Sequence, residues 1–165
     1  MGTAFKGTPV TLKGTLPAVG GKLGDFNLVK ADLSAVTKKD YQGKTKIILT
    51  VPSLDTGVCA METKRFNQEA ANLGNVEVLV VSRDLPFAQK RFCSAEGIDK
   101  VTTLSDVRDA GFAERFGVYL ADSPLAGVMA RAVIVAGPDD TVKYVELVPE
   151  ITQEPDYAAA LAAAK

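Results

Sequence analysis

The sequence predicts an α/β fold on three observations. Two short β-branched runs, "TKIILTV" (Thr45–Val51) and "VEVLVVS" (Val76–Ser82), are each followed by a helical pattern. A later stretch, "RAVIVAGPDDTVKYVELV", breaks at Gly137–Asp140 into two strands with a hairpin signal between them. An Ala-rich tail, "EPDYAAALAAAK", reads as a closing helix with Pro155 in its first turn. A length of 165 residues suits one domain spanning 1–165.

From the N-terminus, Val10, Leu12 and Leu16 alternate with polar residues around Gly14 between Thr8 and Val19, which predicts an opening hairpin confined to an edge by Pro9 and Pro17. "FNLVKADLSAV" is a further extended piece, and "TKKDYQGK" reads as a polar turn. "TKIILTV" has no polar alternation, as expected of a central strand covered on both faces, and Pro52 ends it. A helix is expected from about Val58–Cys59, with Met61, Phe66, Ala70 and Leu73 to bury and Gly74 to stop it.

"VEVLVVS" is the next buried strand. "PFAQKRFCSAEG" predicts a helix carrying Cys93 and ending at Gly97, and "SDVRDAGFAERFG" predicts another, capped by Ser105 or Asp106, ended by Gly117 and burying Val107, Phe112 and Phe116.

Composition narrows the chemistry. Nineteen Lys and Arg against twenty Asp and Glu give a net charge of −1. No basic block could follow a phosphate backbone, so nucleic acid is not an expected partner. No apolar run approaches the ~18–20 residues that cross a bilayer, and the first residues lack the apolar core of an export signal. The expected location is therefore cytoplasmic, where two cysteines are more readily redox-active than a structural staple. The absence of histidine excludes Ser-His-Asp and Cys-His nucleophile pairs and His-ligated zinc or haem. Gly20–Gly21 is no dinucleotide fingerprint, and no metal or cofactor is expected.

Cys59 stands where the first buried run gives way to a helix, in "VPSLDTGVCAMETKRFNQ". A thiol in the first turn of a helix meets unsatisfied backbone N–H groups and the positive end of the helix dipole, which activates it without histidine. Thr56 offers a hydroxyl one turn earlier, and Pro52 fixes the strand exit and can shield the sulfur from water. A cysteine between Val58 and Ala60 also suits an inert core position, and Thr56 is equally an ordinary N-cap. Asp55 reads as a turn residue before the helix or as a residue of catalysis or of a subunit contact, Phe87 and Phe92 as core or pocket residues flanking Cys93, and Arg83 and Arg91 as solvated charges. Arg131, between Ala130 and the apolar "AVIVA", has reason to be partly buried and to seek an anion.

The spacing Pro52-x-x-x-Thr56-x-x-Cys59 resembles the peroxiredoxin active-site motif. With "FNQEA", "DLPFAQKRFC" and "MARAVIV" following in order, the whole chain resembles the thiol peroxidase subfamily. The resemblance implies a thioredoxin-like fold with a central mixed sheet, flanking helices and an added N-terminal β-hairpin. It implies a peroxidatic Cys59, a resolving Cys93 and an active-site arginine at Arg131, with Pro52 and Thr56 completing the site. It further implies hydroperoxide substrates, recycling by thioredoxin and a homodimer. Because a disulfide needs Cα atoms within about 7 Å, cysteines on two helical segments would require local unwinding. A redox sensor or adaptor with the same disulfide but no turnover is the competing class. A general disulfide oxidoreductase is disfavoured by the lack of a CxxC.

Overall fold

The computed structural model describes residues 1–165. Strands β1 (Thr3–Phe5) and β2 (Thr8–Val10) pair antiparallel through Lys6 and Gly7, both at positive φ (51° and 84°), as a two-residue hairpin turn requires. The hairpin thus begins before the expected Thr8–Val19 segment and shares only Thr8–Val10 with it. The following β3 (Leu12–Lys13) leaves it to pair with Tyr119–Leu120. Gly14 is not a hairpin turn: at φ +90° it lies against the backbone of Glu114, where any Cβ would strike that residue's carbonyl.

"FNLVKADLSAV" is two strands, β4 (Asn27–Lys30) and β5 (Ala35–Thr37), folded back through Asp32 and Leu33. The polar connector after them contains a 3-10 turn, Lys38–Tyr41, because the Asp40 carboxylate accepts the Thr37 N–H at 2.7 Å. β6 (Thr45–Thr50) is buried at every position. It leads through Val51–Thr56 into α1 (Gly57–Ala70), which ends short of Gly74. β7 (Val76–Ser82) follows, then α2 (Pro86–Glu96), bounded as its ends predict by Pro86 at the first turn and by Gly97 at φ 66°.

The expected helix from Ser105 to Gly117 is mostly absent. Ser105 ends strand β8 (Thr102–Ser105), which pairs parallel with β7, and only Phe112–Arg115 (α3) is helical. Sheet pairing wins over the cap signal at Ser105, and Val107 is left 48% exposed. β9 (Tyr119–Leu120), β10 (Ala132–Ala136) and β11 (Val142–Leu147) precede α4 (Tyr157–Ala163). Asp156 caps α4, so Pro155 sits just before the helix rather than in its first turn.

The main sheet has the order β11-β10-β6-β7-β8-β4-β5. It is mixed, with β6, β7 and β8 parallel and the outer strands antiparallel. Alternate residues of its central strands face two apolar clusters. Ile48, Leu79, Val81 and Ile134 meet Phe112 and Phe116 on one face. Ile47, Leu49, Val78, Val80 and Val133 meet Cys59 and Phe66 of α1 and Ala160 of α4 on the other. α1 is joined to α2 by Lys64–Glu96 at 2.5 Å and to the segment after α2 by Asn67, which accepts the Lys100 N–H at 2.6 Å.

Candidate active site

The site forms where β6 runs out. Pro52 has no N–H to extend the ladder, and it is buried at the strand exit. The carbonyl of Ser53 accepts from the Thr56 N–H (3.2 Å) and hydroxyl (3.1 Å), closing a turn that points the chain into α1. Thr56, in extended backbone, is the N-cap, and its Oγ1 accepts the Cys59 N–H at 3.4 Å. Cys59 therefore lies in the first turn of α1, as expected.

Cys59 is fully buried and shares the inner face of α1 with Glu62, Thr63 and Phe66. Met61, expected in that face, is 51% exposed. It is displaced because the helical spacing that buries Cys59 and Phe66 turns position 61 outward. The Thr63 hydroxyl donates to the Cys59 carbonyl at 2.8 Å.

Arg131 reaches this sulfur through sheet register. β10 is antiparallel to β6 with Ala132 opposite Thr50, so the residue before β10 stands beside the strand exit that leads to Cys59. Its side chain is only 2% exposed. Nη1 donates to Cys59 Sγ at 3.3 Å and to Glu62 Oε2 at 2.8 Å, while Nε donates to the Ile151 carbonyl at 2.9 Å.

The electrostatics follow from burial and proximity. Burial opposes the charge on Arg131, but the Cys59 sulfur and the Glu62 carboxylate hold its pKa above the ordinary arginine value. Burial pushes the Glu62 carboxyl up to about 7 against the pull of Arg131, with Glu146 and Glu154 adding to the rise. Glu62 Oε1 has no hydrogen-bond partner. One guanidinium thus faces both a sulfur and a carboxylate. Such a donor stabilises negative charge at sulfur and on an oxygen brought up to it.

Glu62 is the residue that sequence reasoning missed. A charged side chain one helical turn after Cys59, on the face expected to be apolar, was the available signal. Cys93 lies half-buried on α2, its Sγ 3.7 Å from Thr103 Oγ1, and both thiols are free. Burial pushes the Cys93 thiol up, partly offset by the Thr103 hydrogen bond. Phe92 packs with Cys93 into the cluster that holds Cys59, whereas Phe87 is 67% exposed. Asp55 is exposed, its N–H bonded to the Ser53 hydroxyl at 3.2 Å. Arg83, expected to be solvated, instead grips Asp106 through Nε and Nη2 (3.1 and 2.9 Å) and the Gly127 carbonyl (2.8 Å).

A thioredoxin-like mixed sheet with a buried cysteine at a strand-to-helix turn, met by a buried arginine from the residue before β10, defines a class of redox proteins. Residues 18–161 match the Redoxin family, and the chain belongs to it. Among its relatives, the thiol peroxidase of Leptospira interrogans is 55% identical over 162 residues, covering 97% of this chain and 95% of that one. The thiol peroxidase of Corynebacterium glutamicum is 50% identical over 161 residues, covering 98% and 97%. A crystal structure of a peroxiredoxin-like protein from Aquifex aeolicus superposes with a TM-score of 0.94 at 43% identity, covering 99% of this chain and 95% of that one. Within the family, the chain falls in the thiol peroxidase subfamily of the peroxiredoxins, a group of enzymes.

Proposed function

We propose that this chain is a thiol-dependent peroxidase in which Cys59 is the peroxidatic nucleophile, Cys93 the resolving thiol and Arg131 the electrostatic partner of the reacting atoms. The observation that carries this reading is the 3.3 Å donation from Arg131 Nη1 to Cys59 Sγ at the start of α1.

The Cys59 thiolate attacks one oxygen of a hydroperoxide R–O–O–H. The S–O bond forms as the O–O bond breaks, leaving a sulfenic acid on Cys59 and an alkoxide that takes a proton from water. Negative charge moves from sulfur to the departing oxygen along one line. Arg131 can follow it because its guanidinium is already held by Ile151 and Glu62 and does not reorganise. Thr56 sets the helix start, and Pro52 keeps competing water from the sulfur.

Cys93 then attacks the sulfenic sulfur. The S–S bond forms, the S–O bond breaks, and water leaves with the proton of the Cys93 thiol. Since the thiols sit on two intact helices, α1, α2 or both unwind locally in each cycle. A dithiol reductant reopens the disulfide and is itself oxidised. We assign that role to thioredoxin, the working unit to one domain of residues 1–165 that pairs as a homodimer, and the setting to cytoplasmic antioxidant defence. Hydrogen peroxide and organic hydroperoxides are both substrates in this reading.

The test is intact mass and free-thiol content of the reduced protein after one equivalent of cumene hydroperoxide. Loss of two hydrogens and of both thiols, mapped to Cys59–Cys93 within one chain, is expected. Unreacted thiols in freshly reduced protein would remove Cys59 from this chemistry. Repeated turnover with thioredoxin and its reductase separates an enzyme from a stoichiometric sensor.

A further inference from the structure

The two cysteine-bearing helices are tied together by a polar cluster that the proposed chemistry leaves unused. Its centre is Asp84, in the short link between β7 and α2, two residues before Pro86. Asp84 Oδ1 accepts the Ser53 hydroxyl at 2.7 Å, and Oδ2 accepts the Leu54 N–H and the Ser82 hydroxyl, each at 2.8 Å. Two of these three donors belong to the loop that leads to Cys59.

From Ser53 the chain of bonds runs on through its carbonyl to Thr56, and from Thr56 Oγ1 to the Cys59 N–H. In the other direction, Ser82 Oγ accepts from Gln89 Nε2 at 3.1 Å, and Gln89 also donates to the Leu104 carbonyl at 2.9 Å. Gln89 lies one helical turn before Cys93 on α2. A continuous set of hydrogen bonds therefore joins the backbone of Cys59 to the helix of Cys93, with Asp84 in the middle.

The α2 side of this set is weakly seated. Gln89 is the one fully buried residue in the interior of α2, and its Oε1 has no partner. A polar seat with an unpaired acceptor is easier to leave than an apolar one. The Cys59 side is firmer, because a carboxylate holds both the side chain of Ser53 and the backbone of Leu54.

We propose that Asp84 is a positioning residue: it holds the Cys59 loop in its attacking geometry, and by tying that loop to the start of α2 it keeps Cys93 away until the sulfenic acid has formed. This rests on the peroxidase reading above. Two consequences of opposite sign follow from one clamp. Loosening it slows attack on peroxide, because Thr56 and the first turn of α1 are no longer fixed, and it speeds disulfide formation, because α2 departs more readily.

The experiment is single-turnover oxidation by hydrogen peroxide of the reduced full chain, with the sulfenic acid and the disulfide each followed by rapid quench and mass spectrometry. The wild type, Asp84→Ala, Asp84→Asn and Ser53→Ala are compared. Asp84→Ala is expected to lower the rate constant of Cys59 oxidation about tenfold and to raise that of sulfenic acid to disulfide several-fold. Asp84→Asn falls between, because its carbonyl oxygen still accepts the Leu54 N–H while its amide faces Ser53. If Asp84→Ala does not fold, Asp84→Asn and Ser53→Ala, which remove fewer bonds, decide by the same split.

Rates within twofold of wild type for both steps, or a parallel fall in both, overturn the clamp and leave Asp84 a structural residue. A wild-type Cys59 that does not react with peroxide at all overturns the peroxidase reading itself, and the clamp with it.

Discussion

Replacing Arg131 with alanine removes the donor at the Cys59 sulfur and leaves the Glu62 carboxylate buried without its cation. Breaking a buried pair from one side costs about 3–5 kcal/mol. Here the full cost applies only where Glu62 is ionised. Its carboxyl is already raised to about 7 with the arginine present, so it protonates more readily once the arginine is gone. Arg131→Ala should therefore be destabilised less at about pH 6 than at about pH 8, measured by urea unfolding of the reduced protein. The chemical loss is separate. One oriented donor to developing charge is worth roughly 10²–10³ in rate, and single-turnover oxidation of Cys59 reads it directly. Adding Glu62→Gln removes the stranded carboxylate, so the double variant should regain stability at about pH 8 without regaining rate. Arg131→Ala reacting within threefold of wild type, or a double variant that recovers the rate, would refute the reasoning.

Other outcomes follow from the same geometry. Burial raises the Glu62 carboxyl from 4.5 to about 7, so its favourable state in the folded protein is protonated. That contribution is complete below about pH 4.5 and is lost as pH rises to about 7, up to roughly 3 kcal/mol. The stability difference between wild type and Glu62→Gln should move in that window, and a flat difference across it in denaturant melts would contradict the assignment. Cys59→Ser should show no peroxide consumption, and appreciable residual turnover would place the nucleophile elsewhere. Cys93→Ser should give a burst of about one equivalent followed by slow recycling; unchanged thioredoxin-dependent turnover would take Cys93 out of the cycle. Phe66→Ala empties the position that packs α1 and Tyr157 over the sheet, at about 3–5 kcal/mol, and a loss below 1 kcal/mol in chemical denaturation would count against that packing.

The central strands were legible because burial on both faces leaves uninterrupted β-branched runs: β6, β7 and β10 fall where those runs lie. α2 was legible from Pro86 and Gly97, residues whose backbone preferences mark helix ends. Short strands were not. β8, with the sequence TTLS, has no apolar run of its own and exists because β7 and β4 flank it. The N-terminal hairpin was displaced because Gly14 reads as a turn, whereas its lack of a side chain serves the approach of Glu114.

At the site, the sequence by itself determined what is local: a thiol in the first turn of a helix, a threonine cap one turn earlier and a proline at the strand exit, all set by near neighbours along one chain segment. Only the tertiary structure decided what meets the sulfur. Arg131 lies 72 positions from Cys59, and the two come together because β10 pairs antiparallel with β6 in a register that sets Ala132 opposite Thr50. A slip of one residue would turn every side chain of β10 to the other face. That register also pairs Arg131 with Glu62, and the way α2 packs on β8 sets the Cys93 thiol against Thr103. Such pairings depend on which surfaces the folded sheet and helices bury together, and no local pattern encodes them.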